Sequence, residues 1–196
     1  MEETFYHYYI YKPYRMLSQL GTEGYKGKKG LAELFPFPKG VYPIGRLDED
    51  SEGLLLMSSN GKLVSIINSA KFEKEYWVQL DGDITPDAIA QMQNGLTISI
   101  KKDLVQTKPC VVIKLNEEPQ LPPRHKPSRA GLHRPSSWIS IVLTEGKHRQ
   151  IRKMTSAVGF PTMRLVRVRV GNLHLGNLES GEVKPIPDLL EALGGF

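Results

Sequence analysis

The run Trp138-Ile139-Ser140-Ile141-Val142-Leu143-Thr144 constrains the fold more than any other stretch of this chain. It is too short for an ordinary buried helix and is rich in β-branched and aromatic residues, so it reads as a strand. Trp138, Ser140 and Val142 alternate with Ile139, Ile141 and Leu143, and both sets are largely apolar. A strand with two apolar faces sits in mid-sheet, covered on both sides. Leu54 to Met57 is a second run of this kind.

Other elements fall around these strands. Phe5 to Tyr11 reads as a strand closed by Lys12-Pro13, with Met16 to Leu20 continuing it after a kink. Ala32 to Phe35 reads as one helical turn stopped by Pro36 and Pro38. Asn60-Gly61 marks a turn into a helix over Lys62 to Asn68, with Leu63, Ile66 and Ile67 inward. Lys74 to Leu80 has strand alternation. Thr85-Pro86-Asp87 supplies an N-cap, a first-position proline and a first-turn acid, so a helix runs from there to Gly95. Leu96 to Ile100 and Val105 to Leu115 read as strands, Arg149 to Val158 as a helix, Met163 to Val170 as a strand and Pro187 to Leu193 as a short terminal helix.

The 196 residues suffice for one core, or two lobes sharing one, and a single domain over 1–196 is expected. No apolar run has the length of a membrane span, and Glu2 and Glu3 stand where a signal peptide carries positive charge. A soluble cytoplasmic protein, expected to be monomeric, follows. Cys110 is the single cysteine, which excludes an internal disulfide and a cysteine-based metal cluster. The formal charge of +5 is unevenly spread: residues 101–196 hold 16 basic residues against 8 acids, whereas residues 1–100 hold 10 against 13. Between Arg124 and Arg169 there are 11 basic residues and one acid, Glu145, which points to a polyanion as partner.

The loop of about 116–137 is proline-rich and basic, and a structureless stretch of that length in a compact domain is functional or disordered. Arg124, Lys126, Arg129 and Arg134 read as phosphate contacts that order when a nucleic acid binds. His125 and His133 lack companion ligands, so no metal is assigned. Arg149, Arg152 and Lys153 stand at i, i+3 and i+4, where three cations on one helical face call for an anion. Arg167 and Arg169 share a strand face, read as the wall of a nucleic-acid groove.

The densest chemistry lies in Gly45-Arg46-Leu47-Asp48-Glu49-Asp50-Ser51-Glu52-Gly53-Leu54-Leu55, an acidic cluster between two apolar runs. If the preceding strand extends that far, Arg46 and Asp48 point to one side and Leu47 anchors the other. This string resembles the catalytic motif of the RsuA-like family of ribosomal RNA pseudouridine synthases. Lys12-Pro13-Tyr14-Arg15-Met16-Leu17-Ser18-Gln19 is similar to the first motif of that family, although many relatives have glycine near position 15. Tyr76 occupies the family's Lys-x-Tyr-x-Val setting, and Glu145 to Met154 resembles its third motif.

The resemblance implies an α+β fold, with a bent, mostly antiparallel sheet, flanking helices and a central cleft. It implies isomerisation of a uridine in large-subunit ribosomal RNA, in the branch without the small N-terminal RNA-binding domain. Asp48 would be the catalytic carboxylate, Tyr76 would stack on the flipped uracil, and Arg152 would pair with the aspartate. Arg46 would meet the RNA as the uridine leaves its stack, Ile151 would pack beside the tyrosine, and no cofactor would be needed. Glu49, Asp50 and Glu52 are left as loop charges or structural acceptors. A non-catalytic RNA-binding module on the same fold and a base-releasing hydrolase are the competing readings. The first has no use for a carboxylate facing phosphates, and the second would leave an abasic sugar.

Overall fold

The computed structural model describes residues 4–69, 72–124 and 134–195. In chain order the strands are β1 (His7–Lys12), β2 (Tyr42–Ile44), β3 (Glu52–Ser58), β4 (Lys74–Asp81), β5 (Thr97–Ile100), β6 (Asp103–Gln106), β7 (Val111–Leu115), β8 (Ser136–Leu143), β9 (Thr162–Val170), β10 (Leu173–His174) and β11 (Val183–Pro185). The helices are α1 (Gly61–Ser69), α2 (Pro86–Asn94), α3 (Gln150–Ala157) and α4 (Leu189–Ala192), with a 3-10 turn at Leu31–Glu33. The chain divides into two compact units, residues 1–72 with 167–196, and residues 73–166.

In the first unit β1 lies between β3 and β11, antiparallel to both, with Tyr9 opposite Leu56 and Lys184. On its other side β3 takes up β2, with Ile44 opposite Leu56. Every residue of β3 is buried, as two-sided cover of Leu54 to Met57 requires. Asn60 accepts the Leu63 N–H through Oδ1 and so caps α1. Ile67 is buried on that helix, but Ile66, expected inward, is 42% exposed.

In the second unit β8 sits between β4 and β7, so the mid-sheet expectation holds. Its residues Ile139, Ile141 and Leu143 form one core with Val78 and Leu80 of β4, Ala88 and Met92 of α2, and Ile151 and Met154 of α3. Thr85 Oγ1 accepts the Ala88 N–H at 3.3 Å, the cap that the Thr-Pro-Asp signal announces. Gly95 ends α2 at φ +86°, and a Cβ there would lie 2.5 Å from the Thr107 carbonyl, so no other residue fits. The expected strand from Val105 to Leu115 is two strands. Thr107 turns back to Leu96, and Lys108-Pro109 interrupts the ladder before β7.

Candidate active site

The acidic loop belongs to the first unit. β2 ends at Ile44, and Gly45 at φ +68° turns the chain out of the strand, which corrects the idea that the strand runs on to Arg46 and Asp48. What fixes the loop is a set of contacts from the first motif. Ser18 Oγ donates to the Leu47 carbonyl at 2.7 Å and accepts the Leu47 N–H at 3.0 Å, so one hydroxyl satisfies both backbone groups of the residue before Asp48. Leu47 is itself 6% exposed, the anchor its place in the motif suggested. One residue beyond Asp48, the Glu49 carbonyl accepts the Arg15 N–H at 2.8 Å. The Asp48 carbonyl accepts the Ser51 N–H at 3.0 Å, closing the turn. Arg46 is exposed and Asp48 half-buried, an arrangement in which a held carboxylate still meets solvent.

Beneath this loop lies Lys12, fully buried. Its ammonium donates to the carbonyls of Met16 at 2.7 Å, Pro13 at 2.9 Å and Glu49 at 3.5 Å. Burial pushes its pKa down to about 7, against the pull of the Glu52, Asp50, Glu49 and Asp48 carboxylates. Arg15 stands at φ +61°, a left-handed conformation that a glycine adopts without strain. Glu49 pairs with Lys28 at 2.8 Å, bringing the stretch ahead of the 3-10 turn onto the acidic loop. Glu52 is the first residue of β3, buried, and accepts from Tyr11 Oη at 3.3 Å, so it is a structural acceptor.

The second unit carries the other candidate residues. Tyr76 on β4 is half-buried and packs against the core in which Ile151 is buried. Arg152 is on α3, half-buried. The third motif is a clasp around Glu145, whose carboxylate accepts from Gln150 Nε2 at 2.6 Å, the Lys108 N–H at 2.9 Å and Lys147 Nζ. Burial opposes the charge, yet these hydrogen bonds outweigh it and hold the Glu145 carboxyl below its usual range. Gln150 Oε1 also accepts the Lys147 N–H at 3.0 Å, so the turn leading into α3 is fixed at both ends.

Several cations assigned to RNA also make contacts within the fold. Arg149 precedes α3 in a left-handed conformation, φ +52°, so it is not on one helical face with Arg152 and Lys153. Arg124 donates to the Met163 carbonyl at 3.1 Å and Arg164 to the Pro122 carbonyl at 2.8 Å, which ties the stretch before residue 125 to β9. Arg134 pairs with Asp81 at 3.0 Å. Arg167, expected on an open basic face, is 5% exposed and donates through Nε to the Leu54 carbonyl at 2.7 Å. Arg169 donates to the Gly171 carbonyl at 2.8 Å. The pattern of a strand with two buried faces does not reveal that an arginine inside it serves a neighbouring carbonyl. Lys126, Arg129, His125 and His133 lie outside the described residues. Ser18 and Lys12 are the positioning residues that the sequence did not single out for a role. Their partners on the acidic loop, Leu47 and Glu49, are distant in the chain, and a hydroxyl or ammonium beneath a loop leaves no periodic signal.

Residues 6–157 match the family described as RNA pseudouridylate synthase, and the chain belongs to that family. Its members isomerise uridine in RNA, and the fold is that of such an enzyme. More particularly, the chain is 39% identical over 173 residues to the ribosomal large subunit pseudouridine synthase E of Xanthomonas campestris, covering 87% of this chain and 90% of that one. It is 41% identical over 177 residues to the protein of the same name from Vibrio vulnificus, covering 89% and 72%. A solved pseudouridylate synthase shares the fold, with a TM-score of 0.74 at 22% identity over 94% of this chain and 71% of that one.

Proposed function

We propose that this chain converts a uridine of large-subunit ribosomal RNA to pseudouridine, acting as a cytoplasmic monomer on a base flipped out of a stem. The observation that carries the reading is the near-full-length similarity to relatives named for that activity, at 39% identity over 87% of the chain for the first of them. Isomerisation breaks the bond from C1′ to N1, turns the uracil and joins C1′ to C5. In this reading Asp48 is the catalytic carboxylate, attacking the sugar, attacking C6 or removing the 2′ proton. Each route needs the anion, and Arg152 is the counter-charge that favours it. Tyr76 stacks on the extruded uracil, and Arg46 meets the RNA where the base leaves.

Support comes from the way the loop is built. Ser18, Arg15 and Lys12 hold the backbone on both sides of Asp48, so little reorganisation accompanies reaction. Flipping a stem uridine costs a few kcal/mol, which stacking and phosphate contacts offset. The test is to map pseudouridine in large-subunit rRNA from cells lacking the gene, and then to treat that RNA with purified protein. One uridine should lose its modification in the cells and regain it in the tube. An unchanged map would refute the proposal, and an abasic site in place of the modified base would replace isomerase by hydrolase.

A further inference from the structure

The hairpin of β5 and β6 has a turn chemistry that folding alone does not favour. Ile100 is opposite Asp103, so the connection is the two residues Lys101-Lys102. Both have left-handed backbones, φ +51° and +79°. Two-residue turns of this kind select Asn-Gly or Asp-Gly, because a Cβ is strained at positive φ. Here two adjacent lysines occupy it, adding charge repulsion to strain. Such strain gathers where a function over-determines the backbone.

The surroundings say what the tip meets. Ile98 is buried in the core and Thr107 closes the base through its N–H to the Leu96 carbonyl, so the hairpin is rigidly rooted. Register places Ile98, Ile100, Val105 and Asp103 on the inner face and Thr97, Ser99, Leu104 and Gln106 on the outer. Leu104 is 78% exposed, an apolar side chain beside two cations. Lys153 of α3 reaches the hairpin and donates to the Ser99 carbonyl at 2.5 Å, which uses one of its three protons. The hairpin thus carries two lysines at its turn and receives a third from α3, and Asp103, the acid of the hairpin, belongs to the opposite face from Leu104.

We infer that the β5–β6 tip is a second RNA-binding element, in which Lys101, Lys102 and Lys153 hold successive phosphates of the substrate and Leu104 packs against its sugars. The inference rests on the reading of the chain as an rRNA-modifying enzyme. It assigns to this hairpin backbone affinity that Arg167, buried within the fold, does not supply.

The test replaces the tip by its best turn, Lys101→Asn with Lys102→Gly, in the full chain. Melting temperature should rise, because the strain and repulsion are gone. Affinity for deproteinised large-subunit rRNA should nevertheless fall about tenfold at low salt, and the log-log salt slope should shrink by roughly 1.5, the loss of two phosphate contacts. Lys101→Arg with Lys102→Arg should keep affinity, and Lys184→Ala, on an exposed strand elsewhere, should leave it unchanged. Unaltered affinity and slope in the Asn-Gly variant would overturn the inference. So would normal binding to naked rRNA with a defect confined to protein-containing particles, which would make the partner a protein. Wild-type protein that binds rRNA but forms no pseudouridine would refute the enzymatic reading while leaving the hairpin measurable, and wild-type protein that binds no RNA would overturn both.

Discussion

Lys12→Met isolates the buried ammonium beneath the acidic loop. Methionine has nearly the same length and no charge. The lysine pKa falls from 10.5 to about 7 in the folded chain, first because burial strips its water. Between those values the unfolded chain binds more protons than the folded one, so this group makes the wild type more stable as pH rises from 7 towards 10.5. Below that window both states are protonated and the full cost of a dry ammonium is present. The whole shift corresponds to about 4–5 kcal/mol, and the part between pH 7 and 9 to about 2–3 kcal/mol. The substitution removes that cost but strands the carbonyls of Pro13 and Met16, each lost bond costing about 1–3 kcal/mol where water cannot replace it. Urea unfolding of both proteins at pH 7 and pH 9 should show the variant less stable at pH 9, with the gap smaller by about 2–3 kcal/mol at pH 7. All other titrations cancel in the difference. Parallel stability profiles across that range would refute the idea that Lys12 is held near neutrality by burial.

Two further outcomes follow from the same contacts. Ser18→Ala removes a hydroxyl that serves both the N–H and the carbonyl of Leu47, so it should lower stability by about 2 kcal/mol and reduce kcat more than KM, read from urea melts and single-turnover pseudouridine formation. Arg167→Met should cost about 2–4 kcal/mol by stranding the Leu54 carbonyl and losing a buried packed side chain, yet the salt slope of RNA binding should stay unchanged, because that guanidinium serves the fold.

The sequence showed the acidic loop because its residues are contiguous and bounded by apolar runs, and β8 because alternation with two apolar faces has one structural solution. It showed α2 because Thr85, Pro86 and Gly95 are local signals that act on their own backbone. The basic residues were harder to place. Arg167 and Arg169 alternate correctly on β9, but alternation cannot distinguish an arginine bound to a buried carbonyl from one facing RNA. Arg149 lies one residue outside α3, and only its left-handed backbone removes it from the helical face. The division of Val105 to Leu115 rests on Thr107 pairing back to Leu96, a choice made by tertiary hydrogen bonds. Lys12 and Ser18 reach the loop from another part of the chain, so their roles emerge only once β1 and its continuation pack beneath it.

The central claim is that the Asp48 carboxylate performs the chemistry, and Asp48→Asn tests it with least disturbance, since the side chain keeps its size and polarity and loses only its charge. Purified wild-type and variant proteins should be compared on deproteinised large-subunit rRNA from cells lacking the enzyme, measuring binding and pseudouridine in the same samples. The account predicts RNA binding as tight as wild type or tighter, because one repulsive charge is gone, together with no detectable pseudouridine. Substantial turnover by Asp48→Asn would contradict it.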